Sequence, residues 1–95
     1  MIILAIQVEI FYPHVHSLKE KRKELNSIIA RLNNQYNLSV KEVSNQEKWQ
    51  RLTLGISHVS LSPSEAQQTK EKLIDFLYEN TNGEIIEVVW DLFSL

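Results

Sequence analysis

Residues 2–12 alternate. Ile2, Leu4, Ile6, Val8, Ile10 and Tyr12 share one side, and Ile3, Ala5, Gln7, Glu9 and Phe11 share the other. A period of two with one wholly apolar side is the pattern of a half-buried strand. Pro13 ends it, because proline has no N–H to give to a ladder. After Ser17 the period changes: Leu18, Leu25, Ile28, Ile29, Leu32 and Tyr36 recur at helical spacing, which predicts a helix over residues 17–34. Ser17 and Glu20 form S-x-x-E, a capping box for its first turn, and the run Asn-Asn-Gln-Tyr-Asn stops it.

The second half repeats this grammar. Residues 38–43 read as a short strand, 44–48 as a polar turn, and 49–61 as a longer strand with Leu52, Leu54 and Ile56 on one face. Ser62-Pro63-Ser64-Glu65 opens a second helix, with Ser62 as cap, Pro63 at the first helical position and Glu65 completing another S-x-x-E. That helix runs to about Asn80, with Ala66, Leu73 and Leu77 inward and Phe76 at the margin. Thr81-Asn82-Gly83 breaks it, and residues 84–94 form the last strand, with Ile86, Val88, Trp90 and Leu92 sharing a face. The order strand–helix–strand–strand–helix–strand, closed by right-handed crossovers, predicts an α+β fold. It is the ferredoxin-like βαββαβ sandwich: an antiparallel four-stranded sheet in the order 4-1-3-2, with two helices on one face. Residues 1–95 are expected to form a single domain of this kind.

Composition narrows the functional classes. The chain has no cysteine, which removes a disulfide scaffold, a thiol nucleophile and a zinc-thiolate site, and fits a reducing cytoplasm. The apolar start is interrupted by Gln7 and Glu9 and lacks a basic leader, so neither a signal peptide nor a membrane span is expected. With only Gly55 and Gly83 as glycines, no phosphate-cradling loop can be built. Ser17 and Ser62 are caps, and no G-x-S-x-G elbow occurs. His14 and His16 lie two apart in a loop, but a zinc site needs three or four ligands; His58 belongs to the inward set of its strand. Glu9, Glu87 and Asp91 are placed on an open sheet face that offers no sign of a pocket. No catalytic residue, metal, cofactor or small-molecule substrate is therefore expected, and the protein reads as non-enzymatic.

Two surfaces remain. The net charge is −2, yet Lys19, Lys21, Arg22, Lys23 and Arg31 against Glu20 and Glu24 leave residues 17–31 at +3, while residues 62–95 carry −5. Free N–H groups at a helix start attract anions, and flanking cations add to that. Lys19, Lys21, Arg22 and Lys23, with His16 beside them and Arg51 on a strand, are the candidate contacts for RNA phosphate. The second surface is the sheet face away from the helices. Ile3, Phe11, Val89 and Phe93 are placed on it, and an uncovered apolar patch invites a partner, here a second copy. The face lacks the aromatic platform on which RNA-recognition modules stack bases.

The segments HSLKEKRKEL, YNLSVKEV and WQRLTLGI, in that order, resemble the YlxP-like family of small bacterial proteins of unknown function. Ser17 to Arg22, Asn37 to Val43, and Trp49-Gln50-Arg51 with Leu54-Gly55 occupy the matching positions; the turn before Trp49 departs from it, carrying Asn45 and Glu47 where members often have aspartate. The resemblance implies a ferredoxin-like fold and a gene that often neighbours translation-initiation and ribosome-maturation factors. It implies no catalytic residue. The expectation is a cytoplasmic accessory factor in translation or ribosome assembly that touches RNA or a ribosomal protein through the basic helix start. The alternative is a homodimeric interaction module using the open sheet face.

Overall fold

A computed structural model describes residues 1–95, and its elements run β1 (Ile2–Phe11), α1 (Leu18–Gln35), β2 (Ser39–Ser44), β3 (Arg51–Ser60), α2 (Pro63–Asn80) and β4 (Glu84–Ser94). The sheet order is β2-β3-β1-β4, which is the expected order read from the other edge, and every neighbouring pair is antiparallel. The predicted α+β ferredoxin-like sandwich is the fold.

The inward side of β1 is buried along its whole length, and it packs with Leu52, Leu54 and Ile56 of β3 against Ile28 and Leu32 of α1 and Ala66, Leu73 and Leu77 of α2. Both helices start as expected. Ser17 Oγ accepts from the Glu20 N–H at 3.1 Å, and Ser62 Oγ accepts from the Glu65 N–H at 3.2 Å. Tyr12, the last inward residue of the β1 stripe, bonds through its hydroxyl to Thr81 Oγ1 at 3.0 Å and so ties β1 to the end of α2.

Two local departures have physical causes. The β1–β4 register shifts between Glu9, opposite Glu87, and Ile10, opposite Ile85. The extra residue turns the period by one, so Ile85 packs against the core and Ile86, expected inward, is exposed. A second bulge, between Glu42 and Ser44 of β2, throws Val43 over Gly55; a Cβ there would lie 2.6 Å from Val43 Cγ1. β3 begins at Arg51 and leaves Trp49, expected in the strand, exposed in the preceding turn. No helix is long and apolar enough to cross a membrane.

Candidate functional site

The basic helix start proves to be two things. Lys21 is only 2% exposed. It falls between Leu18 and Leu25 on the inward stripe, at the 3-4-3-4 spacing that continues through Ile28 and Leu32. Its Nζ lies 2.8 Å from Glu42 Oε2 and donates to the carbonyl of Asn45 at 2.6 Å and, more weakly, that of Gln46 at 3.5 Å. Glu42 Oε2 is buried and has no hydrogen bond, so the ammonium beside it is its electrostatic partner. Lys21 is thus removed from the expected anion contacts: it is out of reach of solvent and its charge is already answered. Lys19, Arg22, Lys23 and His16 are exposed, and none of them makes an ion pair. The helix N-terminus between them is occupied by its own cap, since the Glu20 carboxylate accepts from the His16 N–H at 3.3 Å. His14 turns instead to Glu24, 3.3 Å away, and no three His, Asp or Glu side chains are grouped so as to hold a metal ion.

Arg51 does not join this cluster. It sits on the sheet face away from α1, where its Nη1 donates to Glu9 Oε1 at 2.9 Å and its guanidinium lies 6.0 Å from the centre of the Phe11 ring. Around it the quoted segments meet. Gln50 donates to the carbonyls of Pro13 and Val15, both at 3.1 Å, while its own carbonyl accepts from the Tyr12 N–H at 2.7 Å. Asn45, held in the left-handed region at φ 62°, donates from Nδ2 to Thr53 Oγ1 at 2.8 Å and to Glu9 Oε1 at 3.4 Å. One polar chain therefore runs from α1 through the β2–β3 turn to the open face. Its members hold the fold.

The open face is tiled in cross-strand rows. Phe93, Ile3 and Val59 form one row; Asp91, Ala5, Ser57 and Ser39 the next; then Val89, Gln7, Gly55 and Lys41; then Glu87, Glu9 and Thr53; and Phe11 with Arg51 at the far end. Of the expected interface residues, Val89 and Phe93 are 52% and 55% exposed, while Ile3 and Phe11 are half-buried at opposite ends of β1. All four lie on this one face. No pocket was expected on this face, yet its middle is hollow. Ala5, Gly55 and Ser57 floor its middle while Val89 and Phe93 rise on β4 and Lys41 and Val43 on β2, enclosing an open concavity of about 490 Å³. A polar recess of about 140 Å³ adjoins it, lined by Gln7, Glu9, Asn45, Thr53 and Glu87. Small residues aligned on adjacent strands are the signal for such a hollow, but it is visible only once the register is known.

One titration is displaced. Burial of Tyr12 raises its phenol pKa above the ordinary 10.0; the Thr81 hydrogen bond opposes this and the charge of Glu24 adds to it.

Residues 3–90 match the model of a family described as "Protein of unknown function (DUF503)". A curated relative from Bacillus subtilis (strain 168), "Uncharacterized protein YlxP", is 38% identical over 61 residues, which is 64% of this chain and 66% of that protein, just under two thirds of its length.

Proposed function

This chain belongs to the DUF503 family of proteins of unknown function, and from that premise we propose that it is a non-catalytic protein-interaction module working through its bare sheet face. One observation carries the reading. Four strands present a hollow, small-floored surface with Val43, Val89 and Phe93 46–55% exposed around it, and both helices pack on the opposite side. Exposed apolar surface of this extent, rimmed by charge, marks contact sites in soluble proteins. The test is a photo-crosslinking residue placed at Phe93, with the helix position Glu71 as control. Discrete adducts from position 93 and none from position 71 are expected in cells; no adduct from position 93 sinks the reading.

A second reading has its own observation. Lys19, Arg22 and Lys23 are exposed cations with no acidic partner. They support weak, salt-dependent contact with RNA phosphate, and with the family resemblance they support an accessory role in translation or ribosome assembly. Co-sedimentation with ribosomal subunits that fades as salt rises is expected; its absence at every salt concentration removes this reading.

A further inference from the structure

Resting on the open-face reading, we propose that the occupant of the face is a second copy of this chain. The pair is related by a two-fold axis parallel to the strands, which sets each Lys41 over the partner's β4 between Glu87 and Asp91. The argument starts from unpaired charge. Of the basic strand residues on the face, Arg51 is engaged by Glu9, and Lys41 has no acidic partner. Glu87 and Asp91 have no basic partner either. The opposite signs stand on opposite edge strands, β2 and β4, about 14 Å apart across three strand spacings, too far to meet within one chain.

Register then selects the symmetry. Lys41, Gly55, Gln7 and Val89 form one row, and Glu87 and Asp91 flank Val89 along β4. An axis along the strands lays β4 on the partner's β2 and β1 on the partner's β3. Lys41 then lies over Val89 with a carboxylate on either side, and Gln7 lies over Gly55, against the Val43 side chain that covers it. The same placement occurs twice. An axis across the strands instead lays β4 on β4, bringing Glu87 and Asp91 towards their own copies, which like-charge repulsion disfavours.

Size permits it. Strands of 10, 6, 10 and 11 residues, at about 3.3 Å per residue and about 4.8 Å apart, give a face of roughly 590 Å². Two such faces bury about 1,170 Å², at the lower edge of the roughly 1,200–2,000 Å² of specific interfaces.

The experiment is sedimentation velocity of the full chain over a concentration series. Wild type is expected to dimerise. Lys41→Glu should weaken the dimer about a hundredfold, tenfold for each of two equivalent contacts. The pair Glu87→Lys with Asp91→Lys should weaken it similarly, and all three changes together should restore it. These positions are exposed, so the variants are expected to fold. A wild type that stays monomeric overturns the proposal. So does a dimer that Val89→Lys dissociates but Lys41→Glu leaves intact, though that result keeps the face as the docking surface. Adducts from position 93 to a different protein alone reject the second copy and retain the open-face reading; no adducts reject both.

Discussion

Lys21→Met isolates one interaction. Methionine keeps the apolar stem that packs beneath α1 and deletes the ammonium. Glu42 Oε2 is then buried with nothing beside it, and the Asn45 carbonyl loses a 2.6 Å bond. Stranding one member of a buried ion pair costs about 3–5 kcal/mol. Glu42 is 17% exposed and can recover some water, which points to the lower end, about 3 kcal/mol. For a domain whose total stability is about 5–15 kcal/mol, that is a large share. With a urea slope of about 1–1.5 kcal/mol per molar, the midpoint should fall by roughly 2–3 M. Adding Glu42→Leu should recover most of the loss, because an apolar pair of similar size has no stranded charge. The double-mutant cycle should therefore show a coupling of at least about 1.5 kcal/mol. If Lys21→Met changes stability by less than about 1 kcal/mol, or the two single effects simply add, the buried pair is not what holds the β2–β3 turn, and this account of Lys21 is wrong.

Gly83→Ala should cost about 1–3 kcal/mol, because its Cβ would stand 2.6 Å from Ile10 Cγ2 and 2.8 Å from the Phe11 carbonyl. Gly55→Ala should cost less than about 1 kcal/mol, since the clash is with the exposed side chain of Val43, which can turn away; calorimetry of the two separates them. Ser17→Ala should lose about 1 kcal/mol through the helix cap, readable as a lower melting temperature. Tyr12 binds its proton more tightly folded than unfolded, so its contribution is fully present below pH 10.0 and lost as pH rises through the raised folded value. The difference in urea midpoint between wild type and Tyr12→Phe should be constant below pH 10.0, and above it wild type should lose stability relative to the non-titrating variant.

Local chemistry made most of the architecture legible. Alternation placed β1 and its inward face, and the two S-x-x-E boxes located both helix starts, at Leu18 and Pro63. What was hidden depends on contacts between elements. Lys21 stands on the inward stripe at correct helical spacing, but a lysine read alone is a polar residue; only Glu42 and the turn carbonyls make its burial tolerable. Ile86 was misplaced because a bulge is decided by pairing with β1, which no property of the segment EIIEVVW announces. The hollow needs Ala5, Gly55 and Ser57 side by side, and that alignment exists only in the folded register.

The split between the quoted segments and the open face has a functional consequence. Lys21, Glu42 and Gln50, drawn from the three segments that carry the resemblance, are consumed by internal contacts at one end of the sheet. A likeness built on them reports the fold, and the activity must be sought where side chains remain unspent. An antiparallel sheet with one wet face ordinarily turns polar residues outward. On β3, Arg51 and Ser57 obey that rule and Val59 does not, while β4 turns out Val89 and Phe93, interleaved with Glu87 and Asp91. Acids on an otherwise apolar edge strand discourage indiscriminate pairing of strand with strand. They also demand a cation from whatever docks. Specificity needs a repulsive element as well as an attractive one. In the proposed dimer Val89 and Phe93 supply the attraction, and the two carboxylates disfavour a misaligned copy that brings no positive charge between them.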